Sequence, residues 1–421
     1  MKIIAKLSTK IPSTPVRWLV AATGFALASL LDLGVLVTLA RASDHLDSPA
    51  TVANPQADIS DVYAWVSPEG RRLNLAMTVQ GHSFSNKIDY VLHVDSGHAF
   101  GQTTASTSIT CHFAAADSVK CDLGNVDSAA GDPRVTTGLE GRHHKFRVFA
   151  GLRDDPFYNN IKGLLGAYGA AGDAIKRGAP EDAAGCAQLD TSTREDVLSQ
   201  MTHTDGGAAQ NFLGNWTVSA IVISVELGPI TKGGKVLAVW GTTSSNGKQL
   251  DHMARPFIAN TILGVAPFSP DEASGDLRQQ FNEAPTGIPS VFVAQIQKGL
   301  AFQDSLDGHC GNQLLAAPEV SAARYRTLAK VLADDRLWVN TAFTRCTRFF
   351  AVESASLAGD DSVNRDCGGR SPVYDTSNTW RSLFIAGTAT GVTDGLPQDE
   401  HPPSATEFPF LAPPDVHGID H

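Results

Sequence analysis

The runs Trp216-Thr217-Val218-Ser219-Ala220-Ile221-Val222-Ile223-Ser224-Val225 and Val236-Leu237-Ala238-Val239-Trp240-Gly241-Thr242-Thr243, with Gly233-Gly234 between them, set the fold class. Both are dense in β-branched and aromatic residues, which favour extended backbone. Apolar density on both faces argues for central strands, and the glycine pair reads as a hairpin turn.

Working outward, more strands appear on the amino-terminal side. Residues 59–66 read as a strand, Ser67-Pro68-Glu69-Gly70 as a turn, and Leu73, Leu75, Met77 and Val79 alternate with Asn74, Ala76 and Thr78 as a half-buried strand paired back onto the first. Residues 90–95 and the Thr/Ser-rich residues 103–111 continue the sheet, and His143 and His144 are expected on a strand, pointing to opposite faces. On the carboxyl-terminal side residues 268–335 turn helical, with residues 290–296 readable as strand or helix, and residues 375–388 form a short helix. Residues 160–210, rich in Gly and Ala, read as a lid or crossing loop with helices over 171–176 and 191–202. The expected architecture is mainly β, an antiparallel β-sandwich-like core with helical insertions, in one large domain over residues 43–421. The apolar, proline-rich tail Phe408-Pro409-Phe410-Leu411-Ala412-Pro413-Pro414 is expected to dock on the body.

The amino terminus reads differently. Lys2, Lys6, Lys10 and Arg17 precede an apolar run from Trp18 to Leu39, and Ala40-Arg41-Ala42 supplies the small residues of a signal-peptidase site. Residues 1–42 are therefore expected to be a secretory signal, with a periplasmic or extracellular destination. A retained membrane anchor is the competing reading, opposed by Asp32 inside the run. Cleavage removes five basic residues and one acidic residue, moving the formal charge from −11 to −15. So acidic a chain is a poor partner for nucleic acid or an anionic membrane surface, and no later stretch is apolar enough to span a bilayer. Cys111, Cys121, Cys186, Cys310, Cys346 and Cys367 are an even set in an exported chain and suggest three disulfides. Cys111 with Cys121 is the natural local pair; the other four allow three pairings. No C-x-x-C-H motif for covalent haem is present.

Chemistry concentrates at the start of the mature chain. Asp44-His45-Leu46-Asp47-Ser48-Pro49 and Ala57-Asp58-Ile59-Ser60-Asp61-Val62-Tyr63-Ala64-Trp65 place one imidazole and four carboxylates within eighteen residues. A buried charge needs a partner. Asp58 and Asp61 can face one ion only if the chain turns between them. A second group, Arg153-Asp154-Asp155-Pro156, ends the strand that begins near Phe146. The candidate site is thus His45, Asp47, Asp58, Asp61, Arg153, Asp154 and Asp155. Oxygen ligands in excess suit calcium, while His45 with carboxylates suits zinc, manganese or iron(II). The same residues also make a metal-free ion-pair network, with His45 and Arg153 against the aspartates.

These stretches resemble the bacterial family DUF4331, a domain of unknown function. Its opening Ser-His-x-Glu-x-Pro-like motif stands here as Asp44 to Pro49, and its Ala-Asp-x-x-Asp-x-Tyr-Ala-Phe strand as Ala57 to Trp65. Its Phe-Ala-Gly-x-Arg-Asp-Asp-Pro-Phe run is matched by Phe149 to Phe157, and its segment after the central hairpin by Arg255 to Asn260. Gly369-Arg370, Thr393-Asp394-Gly395 and Phe408 to Pro414 match its carboxyl-terminal pattern. The family brings no established activity.

Two function classes follow. One is an exported, disulfide-bonded binding or structural protein of the envelope or extracellular space, with a calcium-type site and a small molecule, a carbohydrate or an envelope protein as partner. The other is a metal-dependent hydrolase or oxidoreductase using a His/Asp site. The chain has no Gly-x-Ser-x-Gly, His-Glu-x-x-His or Walker-type motif.

Overall fold

The computed structural model describes residues 47–214, 216–263, 272–285 and 290–415. The expected secretory signal, Asp44 and His45 lie outside them. β1 (Ile59–Val66) and β2 (Arg72–Val79) form the expected hairpin. β3 (Asp89–Ala99), β4 (Gln102–Ala115), β5 (Ser118–Leu123) and β6 (Asp127–Gly131) follow as a meander. Then come β7 (Leu139–Glu140), β8 (Phe146–Asp154), a small pair β9 (His203–Thr204) and β10 (Gly207–Ala208), then β11 (Thr217–Glu226), β12 (Val236–Ser245), β13 (Lys248–Met253) and β14 (Leu337–Asn340).

The architecture is mixed α/β. A five-stranded sheet has the order β1-β2-β11-β8-β7, and a seven-stranded sheet runs β13-β12-β3-β4-β5-β6 with β14 added beside β12. β9 and β10 make a two-stranded third sheet. Each strand pairing described is antiparallel.

The two dense runs are central, as read, but they do not pair. β11 lies between β2 and β8, whereas β12 lies between β3 and both β13 and β14 in the other large sheet. The connection is the reason. Leu227–Ile230 coils into a helical turn with Pro229 and Ile230 buried, so the chain leaves one sheet before Gly233 and enters the other after it. Composition reports that a strand is apolar on both faces; it does not report which strand it meets.

The two large sheets contribute to one core. Ile59, Val62, Leu75, Met77, Ile221 and Ile223 from the first share it with Leu92, Val94, Ile109, Leu237 and Val239 from the second. A Cβ on Gly241 of β12 would lie 2.8 Å from Met77 Sδ and 3.2 Å from Val62 Cγ2, so the absent side chain is what lets the sheets approach there. On its other face the five-stranded sheet carries Tyr63, Trp65, Ala76, Phe149, Ala220 and Val222, which pack with Phe410 and Leu411 of the tail. The tail is docked as expected: Trp65 and Phe410 meet edge to face at 4.9 Å, and Trp65 Nε1 donates to Ala405 O at 2.9 Å.

Other expectations are corrected. His143 and His144 sit in the turn before β8, with His144 at φ 56, so neither is on a strand. The helix expected over 171–176 runs over Ile161–Lys176, and its glycines hid the periodicity. It packs with Thr191–Met201 into a small core of its own with Phe302, Leu306 and Ile385, which makes this insertion a helical layer. The ambiguous residues 290–296 open the helix Ser290–Ser305. No helix of the described residues is long and apolar enough to cross a membrane.

All six cysteines are paired, Cys111 with Cys121 across β4 and β5, Cys186 with Cys310, and Cys346 with Cys367. Cys186–Cys310 spans 124 residues and joins the helical insertion to the segment after Ser290–Ser305. A bridge of that span removes much loop-closure entropy from the unfolded chain. Replacing both cysteines with serine is expected to lower stability by about 3–5 kcal/mol in urea unfolding, whereas opening the short Cys111–Cys121 loop should cost less.

Candidate functional site

The seven candidate residues do not form one site. Asp61 and Asp155 meet each other; Asp47 and Asp58 lie in a second cluster, Asp154 in a third, and Arg153 stands apart. His45 lies outside the described residues.

The first group is built on β1. Asp61, Tyr63 and Trp65 alternate along the strand, and a register shift between Ile59 and Asp61 resets the alternation after Asp58. Asp155 follows β8 directly, held by its backbone N–H to Trp216 O at 3.3 Å. Its Oδ1 accepts from Tyr63 Oη at 2.9 Å and its Oδ2 from Thr78 Oγ1 at 2.7 Å. The cation is Arg370, which was not among the candidates. Its guanidinium pairs with Asp61, lies 4.1 Å from the Tyr63 ring centroid and donates to Val62 O at 3.3 Å. Asp61, Asp155, Tyr63 and Arg370 are all buried.

Arg370 reaches this place through its glycines. Gly368 and Gly369 have φ 68 and 65, and a Cβ on Gly369 would lie 2.3 Å from Ala64 O. Only a residue without a side chain lets the segment lie against β1, where Ala64 and Arg370 exchange two backbone hydrogen bonds of 2.8 Å each. The Cys346–Cys367 disulfide anchors the same segment. The Gly369-Arg370 pair was visible in the sequence, but nothing local connected it to a strand three hundred residues earlier.

Electrostatics follow from burial. Asp61 is pushed up to about 8, by desolvation first, with Arg370 opposing and Asp155 adding to the rise. Asp155 is raised for the same leading reason. A cleft of about 210 Å³, counting its open mouth, reaches both carboxylates and is lined also by Ser60, Gln80, Phe157, Leu213, Trp216 and Val218.

The second cluster faces the other large sheet. Asp47 Oδ1 accepts from Asn282 Nδ2 at 2.8 Å and Thr51 Oγ1 at 3.1 Å, and Asp47 O accepts from Arg278 Nε at 2.5 Å. Burial raises Asp47 to about 6. Asp251 Oδ2 accepts from Ile59 N at 2.7 Å, and its pKa rises well above the usual range through burial and then through Asp47 and Asp58. β1 is extended between Asp58 and Asp61, so the turn needed to aim both at one ion is not made.

The third cluster surrounds Asp154, whose carboxylate lies 3.5 Å from His401 Nδ1 and whose charge acts on that of Asp399. Both carboxyls are raised to about 8 by burial first; Asp155, Glu400 and Asp415 then raise Asp154, which Asp399 opposes, and Asp154 and Glu400 raise Asp399. Facing carboxyls in such surroundings hold on to a proton. Among the described residues no three His, Cys, Asp or Glu groups converge as a metal site would require.

Two outcomes are expected. Arg370→Met strands two buried carboxylates and should destabilise the fold by about 3–5 kcal/mol in chemical unfolding, with Asp61→Asn restoring part of the loss. For pH, a carboxyl raised by folding holds its proton over a range where the unfolded chain has lost it. The folded state then binds more protons, so stability falls as pH rises from about 4 to about 8. The melting temperature should fall across that window, and Asp399→Asn, which cannot ionise, should flatten the slope. The chain matches no protein-family model, no curated protein and no solved structure.

Proposed function

We propose that this is an exported, disulfide-stapled binding protein of the bacterial envelope or extracellular space, of the DUF4331 kind. Its antiparallel β-sandwich-like core presents a ligand site at the Asp61–Asp155 cleft. The observation that carries the reading is charge balance at the inner end of that cleft. Two buried carboxylates face one guanidinium, which leaves one negative charge in excess. A proton supplies the balance at neutral pH; a divalent cation in its place leaves one positive charge in excess, to be met by solvent at the mouth of the cleft, which keeps the binding weak.

Oxygen donors line the cleft, the two carboxylates with Gln80 and Ser60, and this donor set suits calcium better than a softer metal. With two carboxylates and neutral oxygens such a site belongs to the weak class of extracellular modules, with Kd on the order of 10⁻⁴–10⁻³ M. Export is supported by the oxidation of all six cysteines, since structural disulfides persist in oxidising compartments.

Calorimetric titration of the mature chain with calcium chloride tests the reading. Binding in that range, with proton release below about pH 8 because the cation displaces the shared proton, and its loss in Asp155→Asn are the expected results. No saturable heat in the unmodified protein would overturn it.

A further inference from the structure

Among the described residues, Arg153 is a deeply buried arginine that no carboxylate neutralises. Among the described residues, Arg255 pairs with Glu353 at 2.7 Å, Arg324 with Asp182 at 2.7 Å, Arg381 with Asp394 at 3.3 Å and Arg370 with Asp61, while Arg278 donates to Asp47 O. Arg153 is 7% exposed, and among the described residues no ion pair or hydrogen bond joins its side chain to another group. The two aspartates that follow it in the chain are committed elsewhere, Asp154 to Asp399 and His401, Asp155 to Tyr63 and Thr78.

Its seat is built. Phe149, Gly151 and Arg153 alternate along β8 and so share one face. A Cβ on Gly151 would lie 3.2 Å from Phe149 Cζ, so the ring lies along the bare backbone of Gly151. The Arg153 guanidinium rests on that ring, 4.2 Å from its centroid. The ring covers one face of the guanidinium plane and attracts the charge, but it accepts none of the in-plane N–H bonds. Nε is sealed from solvent with no acceptor, and burial lowers the pKa with no opposing charge. β7 covers the neighbouring edge of β8 only at Arg147 and Val148, well short of Arg153.

We propose that Arg153, floored by Phe149, is a receptor for an oxyanion: the carboxylate, phosphate or sulfate group of an acidic ligand. A planar fork held by stacking is pre-organised for two parallel N–H···O bonds to such a group. The bound anion supplies the counter-charge that the described residues leave out, beside an Nε sealed from solvent. The site adjoins the Asp61–Asp155 cleft, since Val218 of the cleft lining pairs with Arg153 across β11 and β8, and it has the opposite charge preference.

The test uses the mature chain labelled with 15N-arginine, with the Arg153 Nε–Hε resonance assigned by its loss in Arg153→Lys. Inorganic phosphate and citrate are titrated in turn against sodium chloride at matched ionic strength. A saturable shift of that resonance is expected. Response to phosphate identifies a phosphate-type group as the ligand, and response to citrate alone a carboxylate. Thermal unfolding supplies the second arm: the anion-dependent rise in Tm should vanish in Arg153→Met, which keeps an apolar side chain over Phe149, while the calcium response stays as in the parent. An unmoved resonance with both anions, or an equal Tm rise in Arg153→Met, overturns the proposal.

Discussion

The contact between Arg370 and Asp61 is the constraint on which the amino-terminal half of the molecule depends. A fully buried guanidinium is tolerated only where a carboxylate and carbonyl oxygens meet it, and Asp61, Val62 O and the Tyr63 ring meet it together. Satisfying Arg370 therefore holds the strand β1, the corner at Asp155 and the glycine segment 368–370 in one relation. Such pairs add little net stability compared with apolar packing; their effect is that any other arrangement of these segments buries a charge alone. The same device recurs where Arg255 meets Glu353 and Asp335, where Arg381 meets Asn159 and Asp394, and where Arg324 meets Asp182. In each case at least one partner of the arginine comes from a distant segment: Glu353 for Arg255, Asn159 for Arg381 and Asp182 for Arg324.

Burial of charge also explains why the acidic residues behave as three groups. Each carboxylate is drawn to the nearest donor that its strand face allows, and Asp58 and Asp61 go to different neighbours because the register shift between Ile59 and Asp61 resets the alternation between them. Asp154 and Asp155 are adjacent, yet one turns to the tail residue Asp399 and the other to Tyr63 and Thr78. What remains after this partition is a cleft with one negative charge in excess and an arginine with none to meet it. Both stand beside the arginine–carboxylate pairs of the described residues as groups whose charge is not balanced one to one, and groups of that kind are where ligands are expected.

Much of the fold was legible. The β1–β2 hairpin, the Cys111–Cys121 bridge, the helix starting after Asp375 and the docked tail follow from alternation, short loops, capping and apolar content, which are local properties. The helix Ile161–Lys176 was only half visible because glycine weakens the helical signal, and its stability comes from packing on Thr191–Met201. The hairpin expected between β11 and β12 failed because apolar density on two faces measures burial and leaves the choice of partner open. Asp47 and Asp58, equally readable from the sequence as caps of solvent-facing turns, are buried, and the cation at Asp61 is Arg370 where the metal-free reading had Arg153, which stacks on Phe149.

By itself, then, the sequence determined the antiparallel strands, the even set of cysteines and the excess of carboxylates over residues 44–61, because periodicity, composition and charge are written residue by residue. Only the tertiary structure decided which sheet each strand joined, which cysteines met and which cation faced which aspartate. Those choices are settled by the cost of burying a charge or an apolar face without a partner, and that partner often comes from a distant part of the chain, as Asp61 does for Arg370.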